Sequence, residues 1–390
     1  MISKDHYFDY AATSPVDEEI VQNAMKASLE HWGNPSSIHE AGTDARKVFE
    51  NARKRAADAL DVKPESIFFT SGGTESDHLA LLSVLSKPQK GSIVLSAIEH
   101  PALREMARMI SNCGWKTVTV NPNKDGIITP ESVAQAIESD TAFVTVMAVN
   151  NETGAVQPIY EIADAIVAKA AGKRKPFFHV DCVQAAGKIP LNLKHPGIDS
   201  AAFSAHKIGG PRGIGILYLA KTFDSFLKGG GQEKGMRSGT ENVFGALAFA
   251  KCLEKYYINK KNEGQLEHFN RQKEITQDFV KKLAGISGCT IIPEARIEEP
   301  GKYSPWVVQA AFKNIPGQVM LRALDSEGFY ISTGSACSAR KNNRPILDAM
   351  HITPQISETA VRFSFGPLTT KTAVDELFDK VSEIAGRFNN

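Results

Sequence analysis

Short segments of the chain carry residue types from which an active site could be assembled. The first, Ile67-Phe68-Phe69-Thr70-Ser71-Gly72-Gly73-Thr74-Glu75-Ser76, reads as a strand passing through a Gly-Gly turn into a helix. A helix start exposes unpaired backbone N–H groups and the positive end of the helix dipole, so Gly73 and Thr74 could hold an anion. The spacing fits neither a G-x-G-x-x-G fingerprint nor a Walker loop, which disfavours a nucleotide and suits a phosphate monoester better. A helix merely capped by Thr74 is the plain alternative. In the second segment, Phe177-Phe178-His179-Val180-Asp181-Cys182-Val183-Gln184, Asp181 ends an apolar strand. A carboxylate there is costly unless it meets a cation or several donors. A protonated ring nitrogen is one such cation, and a helix N-cap is the competing role. Cys182 reads as a small buried apolar group rather than a nucleophile.

The third segment ends a run of small residues with Ser204-Ala205-His206-Lys207. Partial burial at a strand end would lower the pKa of Lys207 and free its amine to form a Schiff base; a snorkelling surface lysine is the alternative. The fourth, Ile331-Ser332-Thr333-Gly334-Ser335-Ala336-Cys337-Ser338, is a loop of small residues with Arg340 and Lys341 close behind. Those cations bias an exposed Cys337 toward thiolate, although an incidental surface cysteine fits the same pattern. Arg362, on the short apolar run Val361-Arg362-Phe363-Ser364, suits a two-pronged grip on a carboxylate or a structural ion pair. His100 precedes a helix that Pro101 would open, and could stack on a flat ring or serve as a cap. Together, an anion cradle, a strand-end aspartate and a strand-end lysine form the set that pyridoxal 5'-phosphate needs: phosphate site, pyridinium partner and Schiff-base amine.

Positioning these residues requires an α/β framework. Runs at Ile67–Thr70, Ser92–Ala97, Thr117–Val120, Ala142–Val149, Phe177–Asp181, Ser200–Ser204 and Ile214–Leu219 read as strands. Helical spacing fills Glu75–Leu85, Pro101–Ile110, Glu131–Ile137 and Tyr160–Ala170 between them. The alternation predicts a mostly parallel, seven-stranded sheet covered by helices, with ligands gathered at the strands' carboxyl ends. From Asn242 to Leu283 the pattern is one long connecting helical region. Strand patterns around Val307–Phe312 and Val361–Phe365 and a helix over Thr372–Phe388 then predict a smaller α+β unit. The expected division is a large α/β domain over 15–255 and a small domain from 1–14 and 256–390 that carries the Cys337 loop.

Composition narrows the function classes. With 390 residues, 42% hydrophobic and 23% charged, the chain is a globular protein of more than one core. A formal net charge of +1 supplies no field for a polyanion, so no direct nucleic-acid partner is expected. The N-terminus has no apolar signal stretch and no segment suits a membrane span, so a cytoplasmic protein is expected. Five cysteines without a Cys-x-x-Cys pair argue against a disulfide framework and a zinc site; no metal is expected.

In this order and spacing the segments resemble cysteine desulfurases of the NifS/IscS type, in the class V branch of fold-type I pyridoxal phosphate enzymes. Further segments carry the likeness over almost the whole chain: Tyr7-Phe8-Asp9-Tyr10-Ala11-Ala12-Thr13, Gly33-Asn34-Pro35-Ser36-Ser37, Val149-Asn150-Asn151-Glu152-Thr153-Gly154, and the glycine-rich run Gly229 to Thr240. The resemblance implies that Lys207 holds pyridoxal 5'-phosphate covalently, Asp181 pairs with its ring nitrogen and His100 stacks on the ring. It implies Gln184 and Asn151 beside the phenolic oxygen, and Gly73, Thr74, Ser204 and His206 around the phosphate. Thr240 would reach the phosphate of a neighbouring subunit, making a homodimer, and Arg362 and Asn34 would orient the carboxylate of L-cysteine. Cys337 would take the substrate sulfur as a persulfide, leaving L-alanine, and pass it to an acceptor protein such as an iron–sulfur scaffold or a thiolation protein. His78 and Trp306 stand where the family commonly has asparagine, positions expected on the pocket's outer wall. The chain also ends soon after its last helix, without the longer tail that some relatives use to dock a scaffold. A selenocysteine lyase or class V aminotransferase using the same lysine, and a non-catalytic sulfur-trafficking partner, are the alternatives.

Overall fold

A computed structural model describes residues 4–258, 263–334 and 344–389. Its larger sheet contains β1 (Ile67–Thr70), β2 (Ser92–Ser96), β3 (Lys116–Val120), β4 (Thr141–Thr145), β5 (Phe177–Asp181), β6 (Ser200–Ser204) and β7 (Gly215–Leu219). The spatial order is β1-β7-β6-β5-β4-β2-β3. Strands β3 to β6 and β2 run parallel, while β7 is antiparallel to both of its neighbours. Successive side chains of a strand point to opposite faces. Phe69, Ile216 and Phe203 accordingly enter the core on one face, and Phe68 and Leu217 the core on the other. A sheet buried on both sides explains why strands such as β1 and β7 read as largely apolar runs. Each such fully buried side chain contributes about 1.5–3 kcal/mol. Strand β3, with sequence Lys-Thr-Val-Thr-Val, forms one of the two edges and is only partly buried.

The structure differs from the sequence expectation in four places. The strand expected over Ala142–Val149 stops at Thr145, and the chain beyond it turns so that Val149 forms an isolated bridge with Val156. The single helical region expected over 242–283 is two helices, Val243–Tyr256 and Glu263–Ala284, separated where Tyr257 and Ile258 leave the helix to bury themselves. Helices Glu18–Glu30 and Glu40–Leu60 are elements that the strand-and-helix alternation does not reveal. The short strand β8 (Cys289–Ile292) joins β9 (Val307–Phe312) and β10 (Ala360–Ser364) in an antiparallel sheet with β9 central.

That smaller sheet has its own core, which includes Phe279, Phe312, Phe363 and Leu377. Phe8 from the chain's start is buried in it, and the N-terminal backbone pairs with it: Phe8 N–H donates to the Tyr330 carbonyl and the Ser364 N–H to the Phe8 carbonyl, both at 2.8 Å. This pairing brings Asp9 to Arg362 of β10, and Ala11 and Ala12 to Lys207 just beyond β6. Among the described residues no helix is long and apolar enough to cross a membrane.

Candidate active site

At the carboxyl ends of β4 to β6 lies a cleft of about 230 Å3, open to solvent. Gly73, Thr74, His100, Asn151, Asp181, Gln184, Ser204, His206, Lys207 and Arg362, all singled out in the sequence, line it together. Elements far apart in the chain converge there because parallel strands deliver their ends to one edge.

Lys207 ends a short 3-10 turn directly after β6, and its Nζ donates to the carbonyls of Ala11 at 2.6 Å and Ala12 at 2.8 Å. Ser204 ends β6 and is buried. Asp181 ends β5 with one carboxylate oxygen accepting from the Val183 N–H at 2.8 Å. Burial, and then the neighbouring Asp77 carboxylate, push its pKa up to about 8. Behind it His179 contacts Asp77 Oδ1 at 3.1 Å and Ser200 Oγ at 2.7 Å, fully buried and pushed down to about 4.

The helix Gly73–Leu82 has no side-chain cap: its N-cap residue is Gly72, so the reading of Thr74 as cap is corrected. A glycine can offer no side-chain acceptor, and the first N–H groups stay available to an anion. The helix start also sits tightly in place, since a Cβ on Gly73 would stand 2.6 Å from Val183 Cγ2. Glu75 accepts from the Ser71 N–H and from Arg237 Nε, tying the glycine-rich loop to the same helix start. That loop is anchored below by Glu233, whose buried carboxylate takes both Arg53 Nη atoms, at 2.6 and 2.8 Å, and the Phe69 N–H.

His100 proves to be a cap as well as a cleft residue: it precedes helix Pro101–Asn112 and its Nδ1 accepts from the Ala102 N–H at 3.2 Å. Burial, then the Lys207 charge, push it down to about 4, so its imidazole is neutral. His206, bonded to Thr13 Oγ1 at 3.1 Å, is likewise pushed down to about 3, mainly by burial. Asn151 sits in a turn held by Asn150, whose Oδ1 accepts from the Glu152 and Thr153 N–H groups. Arg362, 1% exposed, donates to the Asn151 carbonyl at 2.9 Å and to Asp9 at 2.8 Å.

Pyridoxal 5'-phosphate fits this arrangement on three counts. Among the described residues the Asn151 side-chain amide, which lines the cleft, has a buried oxygen without a hydrogen-bond partner, leaving a polar group unfilled there. The Asp181 carboxyl resists ionising until a cation faces it. The uncapped helix start lacks an acceptor.

Other expected residues lie elsewhere. Thr240 lines a separate cleft with Ser71 and Arg237, and Asn34 is exposed, its Oδ1 accepting from the Ser36 N–H; neither meets the main cleft within one chain. Cys337, Arg340 and Lys341 lie outside the described residues. His78 and Trp306 do not form the cleft's outer wall. His78 packs on the Ala102 carbonyl, and Trp306 is buried with Nε1 donating to the Lys188 carbonyl at 2.6 Å. Cys182 is fully buried and its thiol pKa is held high by that burial. The Ala11 and Ala12 carbonyls carry no side-chain signal to mark them. Asp77, an acid on an otherwise apolar helix face, was markable by burial cost alone.

The class V aminotransferase family matches residues 6–377, and the chain belongs to that family. Over its full length it is 35% identical to cysteine desulfurase IscS of Methanosarcina thermophila, covering 94% of that protein. Across 99% of its length it is 34% identical to cysteine desulfurase NifS of Azotobacter vinelandii, again covering 94%. These relatives place it in the NifS/IscS branch. A solved NifS-like protein superimposes with a TM-score of 0.85 and 32% identity, over 98% of this chain and 99% of the other.

Proposed function

We propose that the protein is a pyridoxal 5'-phosphate-dependent cysteine desulfurase that converts L-cysteine to L-alanine and takes the sulfur onto Cys337 as a persulfide. One observation carries the reading: a lysine amine, a buried strand-end carboxylate, an uncapped helix start and a buried guanidinium line one cleft. Lys207 would hold the cofactor through Nζ and Asp181 would face its ring nitrogen. His100 would lie against the ring, with Asn151 and Gln184 at the phenolic oxygen. Gly73, Thr74, Ser204 and His206 would hold the phosphate. When bound, the cofactor supplies an electron sink that makes the Cα proton of an attached amino acid removable. Lys207 Nζ takes that proton as general base, and Arg362 orients the substrate carboxylate. The Cys337 thiolate attacks the substrate sulfur, forming an S–S bond as the Cβ–S bond breaks. That bond's electron pair stays on carbon, which takes up a proton to become alanine, and the step needs no outside oxidant or reductant.

A homodimer belongs to the same proposal. Leu29, Trp32 and Ile38, which flank Asn34 in the sequence, are 70, 76 and 99% exposed, large apolar side chains that a second copy would cover. The partner subunit would bring Thr240 to the phosphate and Asn34 toward the substrate carboxylate. The division into 15–255 and 1–14 with 256–390 is supported by the two sheets and by the burial of Phe8 in the smaller one's core. A cytoplasmic location is supported by four described cysteines that are free thiols, and an iron–sulfur scaffold or thiolation protein would accept the sulfur.

Incubation with L-cysteine, followed by mass spectrometry, should find added sulfur on the Cys337 peptide, and borohydride should tag Lys207. Cys337→Ala is expected to retain the lysine-linked absorbance and lose alanine formation. Unchanged turnover in that variant would overturn the persulfide reading.

A further inference from the structure

Lys188 lies behind the cleft, on the turn that follows β5, with its side chain buried at 5% exposure. Its Nζ donates to Gln184 Oε1 at 2.6 Å. Gln184 Nε2 in turn donates to the Ala11 carbonyl at 2.9 Å, the same oxygen that accepts from Lys207 Nζ at 2.6 Å. A primary amide has two orientations that differ only in which end carries the donors. Turning the Gln184 amide over would set its NH2 against the lysine donor and its oxygen against the Ala11 carbonyl, losing both bonds at once. One Nε2 hydrogen is used on Ala11, and the other is left for whatever occupies the cleft that Gln184 lines.

The lysine itself is held from the other side. Trp306 Nε1 donates to the Lys188 carbonyl at 2.6 Å, and the indole stacks on His268 with ring centres 5.3 Å apart. Charged or titratable groups around Lys188 are Lys207, Arg362, His268, Tyr10 and Tyr256. Among the described residues no carboxylate lies within ion-pair distance of Lys188, so Gln184 is its one side-chain partner.

We propose that Lys188 is a positioning residue: by occupying the Gln184 carbonyl oxygen it keeps the Gln184 NH2 turned to the cleft, as a fixed donor to the phenolic oxygen of the cofactor. The inference rests on the reading of the cleft as a pyridoxal 5'-phosphate site. A donor on the phenolic oxygen stabilises its anion, and so weakens the hold of the adjoining Lys207 linkage on its proton. Without the lysine the amide is free to present its oxygen instead, and the linkage keeps its proton to higher pH.

The test is an absorbance titration of the substrate-free holoenzyme. In Lys188→Met the midpoint of the lysine-linked band is expected to rise by about one pH unit relative to the unaltered enzyme. In a Gln184→Leu background there is no amide to orient, so adding Lys188→Met should move the midpoint no further. A rise of the same size in both backgrounds would show a direct effect of the lysine's charge and overturn the proposal, as would no rise in either. Gln184→Glu keeps the bond to Lys188 but removes the donor, and is expected to raise the midpoint too. An unchanged midpoint there overturns the proposal even where Lys188→Met does not fold. If the unaltered protein forms no lysine-linked band with pyridoxal 5'-phosphate, the reading of the cleft fails instead.

Discussion

Asp9 and Arg362 join the start of the chain to β10 beside the cleft: Arg362 Nη2 donates to Asp9 Oδ1 at 2.8 Å, while Nη1 holds the Asn151 carbonyl. Among the described residues the buried Arg362 Nε has no partner. The two sequence readings of Arg362, ion pair and carboxylate grip, are therefore compatible, since Asp9 fixes one edge of the fork while the side chain lines the cleft. Arg362→Lys keeps the charge and loses the planar fork. The expected result is a KM for L-cysteine raised about tenfold to a hundredfold, the worth of a charged hydrogen bond, with the lysine-linked absorbance retained. Steady-state kinetics that show an unchanged KM would leave the guanidinium a structural group only.

Asp181 makes the apoprotein's stability pH-dependent in a direction set by its raised pKa. An unfolded aspartate loses its proton near pH 4, whereas the buried carboxyl holds it to about 8. Between those values the native state binds the extra proton, so this group's contribution falls as pH rises. His100 and His179, each pushed down to about 4, and His206, pushed down to about 3, act oppositely: they stay neutral in the fold while the unfolded chain protonates below about 6.5. Asp181→Asn isolates the acid from these histidines. Denaturant unfolding of the apoprotein from pH 5 to 8 should show the variant gaining on the parent by up to ~1.4 kcal/mol per pH unit. Added cofactor should narrow the gap, because a cationic ring nitrogen would favour the ionised carboxylate.

Legibility in the sequence followed what local pattern can encode. Strands β1, β5 and β6 match their expected bounds end to end, because burial on both faces keeps them rich in apolar residues and confines their polar ones to a few buried positions. The edge strand β3 and the four-residue β8 are less distinct, since partial exposure dilutes the pattern. Asp181 was legible because it ends such a run, and Lys207 because it closes the short turn that directly follows one. The hidden part is non-local: the Ala11 carbonyl becomes a partner of Lys207 only through pairing of the N-terminus with a sheet more than three hundred residues away. The Arg53–Glu233 pair likewise joins a helix to a loop that shares no sequence pattern with it. Thr240 and Asn34 are legible as motif members, yet one chain does not bring them to the cleft.

Gly154 ends the turn that presents Asn151, and two separate demands fall on it. Its φ of +76° lies in the left-handed region, and a Cβ would stand 2.5 Å from the Val307 carbonyl oxygen and 3.0 Å from Arg296 Nη1. Arg296 is buried and cross-links this turn to the smaller sheet, donating to the Thr153 carbonyl at 3.1 Å and the Val307 carbonyl at 2.5 Å. Gly172, with φ of +80° and nothing within 4 Å of its Cβ position, supplies a matched control that carries the backbone demand alone. Gly172→Ala is expected to cost about 1 kcal/mol, the ordinary penalty of a left-handed alanine. Gly154→Ala should cost several kcal/mol more, because neither the strand carbonyl nor the buried guanidinium can retreat without breaking bonds. The displaced turn should also lower turnover through Asn151 and its bond to Arg362. Denaturant unfolding of the two variants side by side reads the difference, and equal losses would mean that the turn yields freely and that the Arg296 cross-link does not hold Asn151 in place.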